Sequence, residues 1–297
     1  MATTDPPSAP LGARPLALVM PGGAAYGAWQ AGCLYSLVRK GLAFHSIYGT
    51  SAGALNGCAY FQDTMELSWK IWRNVKNSDF FRISPRLSPF SVLSQRHLRA
   101  FLADHVDEDR ARRLRRCWFY VVSTDIASGR THQATYSPEP GGPWDEPLLD
   151  NIVGSISIPF LLPPMRIPGT NGGRDKLLLD GNAKSYVNLY PALERGARDV
   201  LYLSVLHPSM MEQPLFGLRD YVGTLINQLL QGQIDHSLES LRGIAEAKGV
   251  RAFVFHPSRP LKLSSISFET GPCRDAFDLG VEDAELLMDD PARYQVL

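Results

Sequence analysis

A serine between two glycines is the residue of this chain best placed for covalent chemistry. Gly49, Ser51 and Gly53 form a Gly-x-Ser-x-Gly pattern between a short apolar run and a helix-like run. In a nucleophile elbow, such a serine occupies a sharp strand-to-helix turn. Its hydroxyl projects beside a helix N-terminus, where an oxyanion is stabilised. The pattern therefore predicts acyl transfer, although the same pentapeptide also occurs by chance in loops.

A glycine-rich turn precedes this serine. The apolar run Leu16–Met20 is followed by Pro-Gly-Gly-Ala-Ala-Tyr-Gly, and a helical pattern begins after Gly27. Unblocked amides at a helix N-terminus bind either a phosphate or the oxyanion of a tetrahedral intermediate. The turn has neither the Lys-Ser/Thr of a P-loop nor the spacing of a dinucleotide-binding fingerprint. The pattern therefore favours an oxyanion hole formed by the amides of Gly22, Gly23 and Ala24.

The third candidate is an acid at the end of an apolar run. Asp180 and Gly181 follow three leucines, so the carboxylate is well placed to point into a site at the edge of a sheet. Asp-Gly is also a common turn pair, and the dipeptide alone favours a turn. In chain order, however, the sequence supplies a turn with unblocked amides (an amide nest), then a serine and then a carboxylate.

This order of motifs resembles the patatin-like phospholipase family, whose domains carry a glycine-rich oxyanion loop, then Gly-x-Ser-x-Gly, then Asp-Gly. The segments 123–129 and 155–164 also resemble the family's pattern, and the similarity covers nearly the whole chain after the first dozen residues. The resemblance implies a Ser–Asp dyad without histidine, with Ser51 as nucleophile and Asp180 as base. It also gives the glycines of these motifs a supporting role: Gly27, Gly49, Gly53 and Gly181.

The resemblance implies a lipid acyl hydrolase of the phospholipase A or lysophospholipase type, acting through a covalent acyl-enzyme. No metal or other cofactor is expected, because the amide nest supplies the electrophile. The chain departs from the family pattern at Ala24 and Tyr26 in the oxyanion loop, at Asn182 after Asp-Gly, and at Asn188. We expect these departures to change substrate preference and rate more than the fold.

Other readings of the same residues stay open at this point. A triad of Ser51, Asp180 and His256 has the chain order of α/β-hydrolases, although the elbow follows only two predicted strands. A non-catalytic lipid- or acyl-binding module is the second alternative, motivated by Ala24 and Tyr26. Acyltransferases and thioesterases use the same kind of acyl-enzyme.

The composition indicates which kinds of molecule this protein binds. The 297 residues include 30 basic and 30 acidic side chains, so no net charge attracts nucleic acid. Five arginines in 110–116 lie among acids, which favours a salt-bridged helix face over a membrane patch. Four single cysteines without metal-ligand spacing favour a cytoplasmic setting. We expect a lipid substrate and transient contact with a membrane surface, to which the apolar segment 210–218 could contribute.

The pattern of elements predicts an α/β fold with a mostly parallel central sheet covered by helices on both faces, the three-layer architecture of patatin-like domains. The sequence predicts a disordered tail for residues 1–14 and a single domain for residues 15–297. Within this domain, the segment 61–114 is expected either to form a cap near the site or to cover the sheet. No apolar run approaches the ~20 residues of a transmembrane helix. The predicted strands are 16–20, 46–48, 117–123, 176–179, 200–205 and 250–255.

Overall fold

The computed structural model describes residues 9–145, 147–169, 173–183, 187–211 and 218–296. Their strands are β1 (Leu16–Met20), β2 (Ser46–Thr50), β3 (Ile83–Leu87), β4 (Phe90–Leu93), β5 (Trp118–Asp125), β6 (Arg130–Tyr136), β7 (Met165–Ile167), β8 (Lys176–Asp180), β9 (Asp199–Leu203) and β10 (Arg251–Phe255). Their α-helices are α1 (Gly27–Arg39), α2 (Ala52–Phe61), α3 (Met65–Asn74), α4 (Asn77–Phe80), α5 (Gln95–Ala103), α6 (Glu108–Leu114), α7 (Leu148–Ser155), α8 (Tyr190–Glu194), α9 (Leu218–Lys248) and α10 (Thr270–Asp289).

Eight of these strands form one sheet. Five are parallel, in the order β10, β9, β1, β2 and β5. β6 and β8 pair with β5 in the antiparallel sense, and β7 pairs likewise with β8. The expectation of a mostly parallel sheet is confirmed, and all six predicted strands are present. The strands β6 and β7 and the hairpin of β3 and β4 were not predicted.

Helices cover both faces of the sheet, as expected. On one face, α2 lies so close that a Cβ on Gly57 would come within 2.7 Å of the Phe119 ring. On the other face, the rings of Tyr48 and Tyr120 stack with their centroids 4.3 Å apart. The amide of Ala192 in α8 donates a hydrogen bond to the Tyr48 hydroxyl over 3.1 Å. Since successive side chains of a strand point to opposite faces, each strand contributes to both helical layers.

Strand β5 determines where β8 lies relative to β2. One edge of β5 pairs with β6 throughout residues 119–125. The opposite edge pairs with β2 as far as Thr50 and Val122, and with β8 from Ser123 and Asp180 onwards. Because β8 is antiparallel to β5, its carboxyl end meets the carboxyl end of β2. The sheet therefore brings the residue that follows Thr50 next to Asp180.

Part of the segment expected to form an N-terminal tail contacts the sheet. Leu11 is buried, and Arg251 donates a hydrogen bond to the carbonyl oxygen of Ala9. Residues 1–8 lie outside the described residues, as does most of the apolar segment 210–218. None of the helices, as far as the structure describes them, offers an apolar stretch sufficient to cross a bilayer.

Candidate active site

Ser51 lies in a sharp turn between β2 and α2, as the Gly-x-Ser-x-Gly pattern predicts. Its φ of 52° and ψ of −122° are sparsely populated by residues with a side chain, and such backbone strain often accompanies a functional site. Its amide donates to Ser155 Oγ over 2.9 Å, and Ser155 Oγ donates to the Val122 carbonyl oxygen over 2.6 Å. This bridge holds the strained turn against β5.

Close approaches of the backbone explain the small residues around this turn. A Cβ on Gly53 would lie 2.1 Å from the Met20 carbonyl oxygen, which is far inside contact distance. A Cβ on Gly49 would meet the Gly53 carbonyl oxygen at 2.6 Å, and one on Gly181 would meet the Val122 carbonyl oxygen at the same distance. Larger residues at these positions would displace the elbow or the acidic turn.

The Ser51 side chain lies close enough to the Asp180 carboxylate to favour its charged form. A hydrogen bond from the amide of Asn182 to Asp180 Oδ1 over 2.8 Å fixes the carboxylate. Burial raises the pKa of Asp180 to about 6, although the interactions with Ser51 and with the Asn182 amide oppose the shift. A carboxylate with this pKa is a stronger base than an ordinary aspartate and stays ionised at neutral pH. The pair can therefore move a proton from the hydroxyl to the carboxylate.

The loop predicted to form an oxyanion hole lies beside this pair. A Cβ on Gly22 would lie 2.7 Å from Ser51 Cβ, so the loop passes directly beside the Ser51 side chain. Gly23 and Ala24 line a cavity of about 160 Å³ together with Ser51 and Asp180. Within the described part of the chain, the amides of 22–24 donate to no backbone carbonyl group.

The departures from the family pattern alter how this loop is held. Ala24 has a φ of 47°, a left-handed conformation that glycine adopts more easily. Tyr26 stands where the family usually has a cation, and its hydroxyl donates to Asn227 Oδ1 of α9 over 3.1 Å. The amide of Ala25 donates to the Ser265 carbonyl oxygen over 2.8 Å. Neutral hydrogen bonds to two other segments therefore anchor the loop.

His256 lies apart from Ser51 and Asp180. It follows β10, which is three strands away from β2, a separation of about 14 Å at the usual strand spacing. Its ring contacts His207, and its Nδ1 lies 2.9 Å from the Pro257 carbonyl oxygen. The order of the strands therefore separates His256 from Ser51 and Asp180, which argues against the alternative triad.

Apolar side chains form a second cavity beside Ser51. It measures about 40 Å³ and shares Ala24, Ser51 and Ile158 with the first cavity. The segment 61–114 contributes several of its walls: Trp72, Phe80, Phe81 and Leu98. Part of the predicted cap segment therefore lines the candidate site, and its surface there suits a hydrocarbon chain.

Sequence reasoning missed several residues of the site. Ser155 begins the segment 155–164 that resembles the family's pattern, but that resemblance did not reveal that its hydroxyl supports the turn at Ser51. Leu229 and Gln233 of α9 line the cavity with Ser51, and no motif marks them. Their position depends on how α9 packs over the sheet, which local sequence does not encode.

The cysteines lie singly in the core, as the sequence indicated. Cys33, Cys58, Cys117 and Cys273 are buried free thiols. Burial raises the pKa of the Cys58 thiol to about 12, so this thiol stays protonated at neutral pH. Within the described ranges, no three His, Cys, Asp or Glu side chains form a group that could hold a metal ion.

Comparison with known proteins identifies the family. The family model for patatin-like phospholipases matches residues 18–193. The chain therefore belongs to the patatin-like phospholipase family, and this membership supports a lipid-hydrolysing enzyme. No curated protein matches the chain significantly in sequence.

Two solved structures are similar at low sequence identity. VipD from Legionella pneumophila is 10% identical, with a TM-score of 0.41, and the match covers 93% of this chain and 67% of VipD. The second is the heterodimeric ExoU–SpcU complex from the type III secretion system of Pseudomonas aeruginosa, with 14% identity and a TM-score of 0.39. That match covers 95% of this chain and 53% of the other chain, so this chain spans about half the length of that relative.

Proposed function

We propose that this protein is a lipid acyl hydrolase of the phospholipase A or lysophospholipase type, in which Ser51 and Asp180 form the catalytic dyad. The observation that carries the proposal is the position of the Ser51 side chain beside the buried Asp180 carboxylate, in one cavity. In this proposal residues 15–297 act as one catalytic domain. The substrate is a lipid ester, reached through transient contact with a membrane surface.

The acylation step begins when Ser51 Oγ attacks the ester carbonyl carbon while its proton passes to Asp180. The carbonyl oxygen becomes an oxyanion, which the amides of Gly22, Gly23 and Ala24 stabilise; one such donor contributes roughly 3–4 kcal/mol. The tetrahedral intermediate then expels the alcohol, which takes the proton from Asp180. The acyl group is left as an ester on Ser51.

The deacylation step uses the same groups in reverse. A water molecule gives its proton to Asp180 and attacks the acyl carbonyl carbon. The second tetrahedral intermediate releases the carboxylic acid, and Ser51 recovers its proton from Asp180. The apolar cavity beside Ser51 supports a hydrocarbon acyl chain, because its walls include Leu55, Phe80 and Phe268.

The test compares three variants on one soluble ester, together with labelling by a fluorophosphonate probe. Ser51→Ala should abolish both hydrolysis and labelling, because it removes the nucleophile. Asp180→Asn keeps the shape but removes the proton acceptor, so kcat should fall about 10²-fold or more. His256→Ala should keep kcat within a few-fold of the wild type, because its ring lies outside the site.

Circular dichroism first establishes that each variant is folded. A probe adduct that maps to another serine, or a folded His256→Ala variant without activity, would contradict the proposed dyad. If the wild type neither labels nor hydrolyses any ester of a panel of phospholipid, lysophospholipid, acylglycerol and acyl-CoA, the protein is a non-catalytic binding module.

A further inference from the structure

The most exposed large apolar side chains of the described residues cluster on elements around the candidate site. Five such side chains are between 56% and 93% exposed, while the next is 47% exposed. Three lie on the hairpin of β3 and β4, one on the turn after α7, and one on α9: Ile83, Leu87, Phe90, Phe160 and Leu229. Scattered exposed apolar residues are normal, but this concentration at one region of the surface is not.

Hydrogen bonds attach the hairpin to the rim of the site. The amide of Leu93 in β4 donates to the Leu161 carbonyl oxygen over 2.8 Å. Just after β4, the side chain of Gln95 donates to Ser157 Oγ over 3.1 Å. These acceptors flank Ile158 and Pro159, which line the cavity that contains Ser51 and Asp180. The hairpin and the mouth of the site are therefore parts of one surface.

The hairpin presents apolar side chains on an exposed edge. Every residue of 82–90 is exposed. Leu87 and Phe90 are cross-strand partners, so their side chains share one face of the hairpin. Phe160 has a φ of 66° in the adjoining turn, and it is exposed as well. No described residue buries these three side chains.

Positive charge surrounds these apolar side chains. Between Asp79 and Asp104 the sequence has no acid, but it has four arginines: Arg82, Arg86, Arg96 and Arg99. Arg99 pairs with Asp150, whereas the other three make no ion pair with any residue that the structure describes. Arg86, Arg96 and Arg99 also line a cleft of about 1040 Å³ beside the hairpin, and no acidic residue lines it.

We propose that the hairpin of β3 and β4, together with Phe160, docks the protein on an anionic lipid bilayer. Leu87, Phe90 and Phe160 enter the interface, while Arg82 and Arg86 meet lipid phosphates. A bilayer accepts apolar side chains that project from an exposed hairpin, and cations among them strengthen binding to anionic head groups. Docking here places the mouth of the site at the lipid surface. The inference rests on the proposed function for its lipid substrate, but binding itself is measurable without catalysis.

The experiment measures partition onto phosphatidylcholine vesicles with and without phosphatidylserine, in a Ser51→Ala background that cannot degrade the lipid. Replacing Leu87 and Phe90 by serine should lower partition about 10-fold or more on both vesicles, because the apolar contacts are lost. Changing Arg82→Gln together with Arg86→Gln should lower partition about 10-fold on phosphatidylserine vesicles only. Added salt should weaken wild-type binding to these vesicles in the same way.

A matched control changes Leu114→Ser and Arg113→Gln in α6, an exposed apolar and basic pair within the arginine-rich segment 110–116. This control should bind both vesicles like the parent protein. With Ser51 intact, the hairpin variants should hydrolyse a soluble ester at the wild-type rate, which shows that they are folded.

Each result decides the proposal. Unchanged binding of the hairpin variants, an equal loss in the α6 control, or a parent protein that binds neither vesicle would overturn it. A hairpin change that alters the oligomeric state instead would assign the surface to a protein partner and would overturn it too. Hairpin-dependent vesicle binding by a protein that hydrolyses no ester would leave the docking surface in place and refute the proposed function.

Discussion

Burial of the Asp180 carboxylate links both activity and stability to pH. Its pKa is about 6 in the folded protein, above the ~4 of an exposed aspartate. Because the folded state favours the protonated acid, its contribution to stability is complete below about pH 4 and is lost as pH rises through 6. The proposed base must be ionised, so kcat should rise over the same range.

Asp180→Asn separates these two effects. The amide carries no charge, so above pH 6 the variant should be more stable than the wild type, by about 3 kcal/mol at most for a shift of this size. Below pH 4 the two proteins should unfold with similar free energies. Urea unfolding at pH 8 and at pH 4 measures the difference. A difference that is the same at both pH values would show that Asp180 is not buried as a charge.

At the scale of elements, a hydrogen bond attaches the proposed oxyanion loop to α9. The Tyr26 hydroxyl donates to Asn227 Oδ1, and burial raises the pKa of Tyr26, which keeps the hydroxyl protonated as a donor. The same helix contributes Leu229 and Gln233 to the wall of the site. The Tyr26–Asn227 hydrogen bond therefore connects two parts of the site that are distant in sequence.

Tyr26→Phe tests this connection. The ring still fills its place, but Asn227 loses a buried partner, which costs about 1–3 kcal/mol of stability. We expect kcat to fall about 10-fold with little change in KM, because small displacements of oxyanion donors weaken transition-state binding. The matched control is Tyr35→Phe in α1, which removes a hydroxyl bonded to Glu66 away from the site. If both variants lose activity equally, the loss reflects general destabilisation.

At the scale of the whole molecule, a buried ion pair joins the edge of the sheet to the N-terminal segment. Arg251 Nε donates to Asp199 Oδ1 over 2.9 Å, and the same guanidinium group reaches the Ala9 carbonyl oxygen. Asp199 and Arg251 are the first residues of β9 and β10. They therefore lie at the amino ends of the parallel strands, whereas Ser51 follows the carboxyl end of β2. The pair should therefore affect stability without affecting catalysis.

Arg251→Ala should lower the free energy of unfolding by about 3–5 kcal/mol, because Asp199 is left as a buried charge without its main partner. Arg259→Ala is the control, since it breaks a pair with Glu282 whose two side chains are each 66% exposed, and it should cost at most about 1 kcal/mol. Urea unfolding provides both values. A loss of kcat in folded Arg251→Ala protein would show that this edge communicates with the site.

The amino-acid sequence by itself determined the parts of this protein that depend on neighbouring residues. The elbow at Ser51 and the turn at Gly22 follow from short patterns, because their backbone geometry requires small residues at adjacent positions. The parallel strands were recognisable as apolar runs. Strand β6 was not, because Arg130–Tyr136 is mostly polar, and the hairpin was not, because β3 is exposed and contains Pro85.

Only the tertiary structure decided which distant residues meet. Strand β8 runs antiparallel to β5, with Asp180 opposite Ser123. This register brings the carboxylate to Ser51, and no local pattern specifies it. The distance of His256 from Ser51 likewise depends on the order of strands in the sheet, which no local pattern specifies. The position of the basic, apolar hairpin at the rim of the site also depends on the tertiary structure. These features result from long-range packing, whose free energy is shared among many contacts rather than stored in one motif.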